Sequence, residues 1–167
     1  MLIRDVHQDE FPEIGELRVA AYQADGFLSP DSGYARRLRD LGADGSGPVL
    51  VAVSEESGDL IGTVMLQVWP DGGEVVQRPG EGEVRALAVR AAARGAGVGR
   101  ALLAAVIDRA VSVGIGHLLL LTQPEMKAAH HLYEEAGFAR LRDRDWSPQP
   151  GVALLAYGLR LTGGSHG

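Results

Sequence analysis

The stretch Arg94-Gly95-Ala96-Gly97-Val98-Gly99 decides how this chain folds and what it binds. It lies between an apolar run at 84–89 and an amphipathic stretch at 100–113. A strand that leads through a glycine-rich turn into a helix directs several backbone N–H groups, and the positive end of the helix, at one small volume. Glycine suits this place because a Cβ would keep the backbone from approaching a phosphate oxygen closely. The stretch therefore predicts a site for a phosphate-bearing ligand.

Composition and charge restrict the class of protein. The 167 residues predict one domain over 1–162 and a flexible tail at 163–167. The absence of cysteine excludes a disulfide framework and a thiolate nucleophile. The net charge of −6 argues against a nucleic-acid partner bound to a basic face. Because residues 1–10 are charged and no apolar run is long enough to span a membrane, we expect a cytoplasmic protein that binds no membrane.

Hydrophobic spacing predicts an α/β domain with an antiparallel start and a β-α-β centre. Four consecutive leucines, 118–121, predict a strand that is buried on both faces. The residues 147–151 are typical of a turn. The predicted strands are 2–6, 49–53, 60–68, 83–89, 117–122, 138–141 and 152–161, and the predicted helices are 9–22, 32–41, 100–112 and 126–136.

Other phosphate-binding motifs fit the glycine stretch poorly. A P-loop requires Gly-Lys-Ser or Gly-Lys-Thr, whereas Gly99 is followed by Arg100 and Ala101. The dinucleotide fingerprint requires its third glycine one residue later, and an acidic residue where Thr122 and Gln123 stand. Taken alone, the stretch is equally compatible with a tight turn that serves only packing.

A second motif lies downstream, in Ala129-His130-His131-Leu132-Tyr133-Glu134-Glu135-Ala136-Gly137-Phe138. It resembles the Ala-x-x-Leu-Tyr-x-x-x-Gly-Phe signature of the GCN5-related N-acetyltransferase (GNAT) superfamily, and Arg-x-x-Gly-x-Gly resembles that family's acetyl-CoA motif. The resemblance covers nearly the whole chain. It implies a mixed, mostly antiparallel sheet of six to seven strands, flanked by about four helices. One departure is Met126, where many members carry an asparagine that contacts the cofactor.

The resemblance implies acetyl-CoA as co-substrate and a direct transfer of the acetyl group to a primary amine. In similar enzymes the backbone of the turn holds the pyrophosphate, and the strand before it pairs with the pantetheine arm. The residues so assigned to the cofactor are Leu87, Ala88, Val89, Arg94, Gly95, Ala96, Gly97, Val98, Gly99 and Arg100.

The same resemblance gives Tyr133 the role of general acid toward the departing sulfur, since a phenol with a pKa near ~10 is protonated at neutral pH. It gives Glu83 the role of general base, directly or through a water, with Glu81 as the alternative. No metal is expected, and the adjacent His130 and His131 point about 100° apart on a helix, so they cannot chelate one ion together.

The acceptor class stays open between small-molecule and peptide amines, and a homodimer is compatible with the resemblance. Two functions of other classes also stay open. One is a non-catalytic acyl-CoA-binding or sensing domain. The other is a nucleotide-binding module that uses the same turn.

Overall fold

The computed structural model describes residues 1–24, 33–70, 75–150 and 152–161. The predicted break at 26–30 and the predicted tail at 163–167 lie outside these residues. Within them the helices are α1 (Phe11–Ala24), α2 (Gly33–Asp40), α3 (Val98–Ser112) and α4 (Lys127–Glu135). The strands are β1 (Leu2–Asp5), β2 (Val49–Val53), β3 (Leu60–Val68), β4 (Glu81–Val89), β5 (His117–Thr122), β6 (Ala139–Arg140), β7 (Trp146–Gln149) and β8 (Val152–Arg160).

The strands form a mixed, mostly antiparallel sheet in the order β1-β2-β3-β4-β5-β8-β6, and β7 pairs with β8. The pairs β1–β2, β2–β3, β5–β8, β6–β8 and β7–β8 are antiparallel. The pair β4–β5 is parallel, as a strand-helix-strand connection through α3 requires. The predicted α/β fold is thereby confirmed, with eight strands in the described residues where six to seven were expected.

The residues divide into two compact units. The first comprises Met1–Met65 and Ala86–Val106. Its core is formed where the apolar face of α1 packs on the buried faces of the neighbouring strands. The members of that cluster are Ile14, Leu17, Ala21, Val51, Leu60 and Ala88.

The second unit comprises Leu66–Arg85 and Ile107–Gly167. In it Leu118, Leu119 and Leu120 are all buried, although successive side chains of a strand point to opposite faces. The prediction of a strand buried on both faces is therefore confirmed. Leu119 packs with Val75 and Ala156 in the main apolar cluster of this unit.

Several element boundaries differ from the predictions. The helix α3 begins at Val98, two residues before the predicted start, and β4 begins at Glu81, where its register with His117 of β5 starts. Residues 147–149, which were predicted as part of a turn, belong to β7. Within the part of the chain that the structure describes, β7 pairs with β8 and with no other strand, and an edge strand of this kind tolerates a proline. The register shifts between Trp146 and Gln149.

The helices of the described residues are too short or too polar to cross a lipid bilayer.

A close approach at Gly62 holds the start of α3 against the sheet of the first unit. A Cβ built on Gly62 would lie 2.8 Å from Leu102 Cδ1, 3.0 Å from Val98 Cγ1 and 3.1 Å from the carbonyl oxygen of Ala88. Only glycine allows α3 and the two strands to come this close. The position of the start of α3 therefore depends on Gly62, a residue of β3 that has no side chain.

The substitution G62A tests this packing. We expect it to lower the free energy of unfolding in urea by about 1–3 kcal/mol, because the added methyl group overpacks the contact. The control is G116A, since a Cβ on Gly116 would meet nothing within 4 Å, and we expect it to change the free energy by less than about 0.5 kcal/mol. Equal effects of the two substitutions would contradict the account of Gly62.

Candidate active site

The glycine turn lies on the surface of the first unit. Residues 94–97 and Arg100 are exposed, whereas the side chain of Val98 is buried. Gly95 and Gly97 have φ angles of 85° and 81°, and a Cβ on either would meet no atom within 4 Å. The glycines are thus required here by the left-handed backbone, which L side chains rarely adopt.

The amides of the glycine stretch are the first donors of α3. The first helical hydrogen bond runs from the N–H of Ala101 to the carbonyl of Gly97 at 3.0 Å. The first four N–H groups of a helix have no carbonyl partner within it. Among the described residues, none accepts a hydrogen bond from the N–H groups of Gly97, Val98 and Gly99. These donors lie at the positive end of a 15-residue helix, and groups of this kind are suited to bind an anion.

The guanidinium of Arg94 holds the beginning of the turn in place. Its Nη2 donates to the carbonyl of Ala21 in α1 at 3.1 Å, and its Nε donates to the carbonyl of Val89 at 3.4 Å. Arg94 therefore has a structural role within the first unit. Its predicted contact with a phosphate stays a prediction, as does that of the exposed Arg100.

The strand β4 bends before it reaches the turn. Ala86 has a φ of 54°, a left-handed conformation that costs a residue with a Cβ about 1–2 kcal/mol. The register of β4 with β5 comprises only Glu81, Gly82 and Glu83, although β5 continues to Thr122. Beyond the bend, Ala88 is buried in the core, while Leu87 and Val89 are half-buried.

In the second unit, α4 places Tyr133 in an aromatic cluster. The ring of Tyr133 lies 6.0 Å from that of Phe138 and 6.2 Å from that of Tyr157. Burial raises the pKa of the Tyr133 hydroxyl to about 12. Within the described residues no group hydrogen bonds to this hydroxyl. The phenol is therefore protonated at neutral pH and able to donate to a ligand.

The two histidines of α4 diverge, as predicted. His130 is buried, its ring packs against Tyr157, and its Nε2 lies 3.0 Å from the carbonyl oxygen of Gln123. His131 is exposed. His130 therefore helps to fix the start of α4, where Met126 stands.

The two predicted base candidates have different surroundings. Glu81 forms an ion pair with Arg144, with an Nη2 to Oε2 distance of 2.6 Å, and accepts a hydrogen bond from the N–H of Gln77 at 2.8 Å. Burial by itself raises the pKa of Glu81, but the hydrogen bonds from Arg144 and Gln77 outweigh it, and the pKa is lowered. Glu81 is consequently a weak base held in a structural ion pair.

Glu83 is buried to 2% exposure, two residues further along β4. Its Oε1 accepts a hydrogen bond from the N–H of Val75 at 3.1 Å, and its Oε2 lies 3.8 Å from Nε of Arg85. The carboxylate is oriented by a backbone amide of the neighbouring segment. Its role as a base is a prediction that these contacts permit.

A model of the Acetyltransferase (GNAT) family matches residues 4–138. The chain belongs to the GNAT family. The match includes the glycine stretch, Glu83, Tyr133 and the Gly-Phe end of the second motif.

Curated relatives of this GNAT chain are named mycothiol acetyltransferase. That of Cellulomonas flavigena is 35% identical over 106 residues, which are 62% of this chain and 30% of the relative. That of Rhodococcus jostii is 29% identical over 143 residues, which are 82% of this chain and 44% of the relative. The chain thus spans less than half the length of the curated relatives it matches.

Solved structures share the fold. A GNAT acetyltransferase from Staphylococcus aureus Mu50 has a TM-score of 0.76 at 17% identity, with 96% of this chain and 99% of that chain covered. The ribosomal-protein-alanine N-acetyltransferase from Brucella melitensis has a TM-score of 0.69 at 22% identity, with 96% and 100% covered. At these identities the comparison establishes the GNAT fold alone.

Sequence reasoning missed two arginines of this GNAT chain that are important to the fold. Arg18 is fully buried, and its Nη1 donates to the carbonyls of Leu38 and Leu41 at the end of α2, where a cation is favoured by the helix dipole. Its position four residues after Ile14, on the apolar face of α1, was a signal for this. Arg144 gave no such signal, because its partner Glu81 is 63 residues away in the sequence.

The substitution G97V tests the turn. A valine cannot adopt a φ of 81° without strain, so the amides of the turn should move, and we expect CoA to bind at least about tenfold more weakly in calorimetry. The matched control is G45V, because Gly45 has a φ of 80° and equal open space in another turn of the first unit. Unchanged binding to G97V, or an equal loss in G45V, would refute this role of the turn.

Proposed function

We propose that this GNAT chain is an N-acetyltransferase that moves the acetyl group of acetyl-CoA to a primary amine by direct transfer in a ternary complex. The observation that carries the proposal is the row of amide donors at the start of α3, which have no acceptor among the described residues, in a chain that belongs to this family. The proposal treats residues 1–162 as one catalytic domain and 163–167 as a tail. No metal takes part.

In this proposal the amides and arginines of Arg94–Arg100 hold the diphosphate of the cofactor. The backbone of Leu87, Ala88 and Val89 pairs with the pantetheine arm as a strand would. Two observations support this pairing. Ala86 bends β4 before these residues, and the register of β4 with β5 covers only the first three residues of β4. Met126 replaces the asparagine that many members use, so the cofactor contact there is left to the backbone or to other side chains.

The reaction needs two proton transfers and no covalent enzyme intermediate. The amine nitrogen attacks the thioester carbonyl, the carbon–sulfur bond breaks, and the departing thiolate takes a proton from Tyr133. The amine loses its proton to Glu83, and before the next turnover water takes this proton from Glu83 and returns one to the Tyr133 phenolate. Because Glu83 is only 2% exposed, we assign the transfer from the amine to a bridging water rather than to direct contact. The ion pair of Glu81 with Arg144 favours Glu83 over Glu81.

The acceptor is proposed by chemical class, as a small-molecule or peptide amine. The curated relatives are named for mycothiol and a structural neighbour is named for the alanine of a ribosomal protein, so these names include both a small molecule and a protein residue. The net charge of −6 supports a partner other than nucleic acid. The proposal further includes a cytoplasmic place of action without membrane binding, and a homodimer.

A screen of amines with acetyl-CoA tests the function. The panel comprises spermidine, L-lysine, glucosamine and a peptide that begins with alanine, and released thiol is measured against a reaction without amine. We expect amine-dependent thiol release with at least one class. Firm binding of CoA with no turnover of any amine would favour a sensing domain, whereas thermal stabilisation by ATP or NAD but not by CoA would favour a nucleotide-binding module.

The substitution Y133F tests the general acid. Phenylalanine keeps the aromatic packing with Phe138 and Tyr157 but removes the proton donor, so we expect kcat to fall about 100-fold. The affinity for CoA in calorimetry should be unchanged. The control is Y157F, since the Tyr157 hydroxyl bonds only weakly to Glu134 at 3.4 Å, and it should retain most of the activity. Full activity of Y133F would exclude Tyr133 as the acid.

The pH dependence gives a second test of Tyr133. Its pKa of about 12 means that the proton is lost only as the pH rises toward that value. We therefore expect that kcat/KM does not decline from loss of this proton up to about pH 10.5. A decline centred near pH 8 to 9 that disappears in Y133F would contradict the assignment.

A further inference from the structure

Arg144 lies at the centre of a buried polar network in the second unit. Its guanidinium uses both Nη atoms on the Glu81 carboxylate, with Nη2 to Oε2 at 2.6 Å and Nη1 to Oε1 at 3.3 Å. The same Nη1 donates to the carbonyl of Val75 at 2.9 Å. The side chain of Arg144 is 9% exposed and that of Glu81 is 4% exposed, so water competes little for these bonds.

Val75 connects this network to the proposed base. The carbonyl of Val75 accepts from Arg144, and its N–H donates to Oε1 of Glu83 at 3.1 Å. Two residues later, the N–H of Gln77 donates to Oε1 of Glu81 at 2.8 Å. The segment 75–77 is thereby held between two glutamates of β4 and one arginine, and the side chain of Val75 is buried in the apolar cluster with Leu119 and Ala156.

The position of Arg144 is itself fixed by the contacts of the next residue in the chain. The neighbouring Asp145 accepts two hydrogen bonds of 2.8 Å from Arg140 and one of 2.7 Å from the N–H of Ala156 in β8. A planar guanidinium whose chain neighbours are held this way presents its donors in one orientation. Arg144 can therefore hold the segment 75–77 in one position.

We propose that Arg144 is a positioning residue for Glu83, because it holds the Val75 peptide whose N–H orients the Glu83 carboxylate. The inference rests on the proposed function, in which Glu83 accepts the proton of the amine. Arg144 itself touches neither the base nor, in this proposal, the reacting atoms. Its loss should misplace the base and lower kcat while the binding of acetyl-CoA is retained.

The test compares R144Q, R144K and R142Q, alone and combined with E83Q, using acetyl-CoA and the best acceptor of the amine panel. R142Q is the matched control, because Arg142 is exposed and lies with Arg144 in one short 3-10 helix, Arg142–Arg144. Lysine keeps the charge but lacks the fork that reaches Glu81 and Val75 together. The melting temperature measures the stability of each variant, and the stoichiometry of CoA binding in calorimetry measures the fraction that is folded and able to bind.

We expect R144Q to lower kcat about tenfold with KM for acetyl-CoA within about twofold, R144K to lose less, and R142Q to match the unsubstituted protein. Because Arg144 acts through Glu83, the double variant E83Q/R144Q should be no slower than E83Q. Unchanged kcat in R144Q, or losses that multiply in the double variant, would overturn the inference while leaving Glu83 as the base. Unchanged kcat in E83Q would instead remove Glu83 from the mechanism, and the role of Arg144 with it.

Two further measurements cover the remaining cases. If R144Q does not fold, R144K and E83Q/R144K decide by the same comparison. If no amine is turned over, crystal structures of the unsubstituted protein and of R144Q provide a readout that is independent of turnover. We expect the hydrogen bond from Val75 to Glu83 to be broken in R144Q, and an intact bond with an unmoved Glu83 carboxylate would overturn the inference.

Discussion

The helix start at Gly97–Gly99 places the strongest constraint on this chain, because its N–H groups lack acceptors among the described residues and must face water or a ligand. Several features of the first unit fix the backbone around these groups. Gly95 and Gly97 give the turn its left-handed backbone, and Arg94 fixes the start of the turn to α1 and β4. Gly62 lets the first turns of α3 lie directly on β3. The donors that we propose to bind the diphosphate are therefore placed by the packing of the unit rather than by a charged side chain.

In the second unit, buried polar contacts give different partners to two glutamates on one face of β4. Residues two apart on a strand point the same way, yet Glu81 is paired with Arg144 whereas the Oε1 of Glu83 accepts from a backbone amide. A buried carboxylate that pairs with a guanidinium loses basicity, and the lowered pKa of Glu81 reflects this. In the aromatic cluster, burial alone raises the pKa of Tyr133, so the phenol stays protonated. The roles that we propose for Glu83 and Tyr133 therefore depend on their surroundings and not on residue type alone.

Much of the fold was predictable, because the relevant signals are local. The glycine turn, the four leucines of β5 and the Gly-Phe end of α4 each carry their information within about a dozen residues. Contacts between distant segments were not predictable. The pairing of Arg144 with Glu81 and the approach of α3 to Gly62 depend on which elements become neighbours in the fold. The strand β7 was missed because its serine and proline are typical of turns, and tertiary pairing with β8 overrides that preference.

The central claim is that main-chain amides around Gly97 hold the diphosphate of CoA. Backbone amide chemical shifts of ¹⁵N-labelled protein during titration with CoA test it most directly, with pantetheine, which lacks the diphosphate, as the comparison. We expect the amide signals of Gly95–Arg100 to shift strongly with CoA and little with pantetheine. Binding of CoA that leaves these signals in place would contradict it.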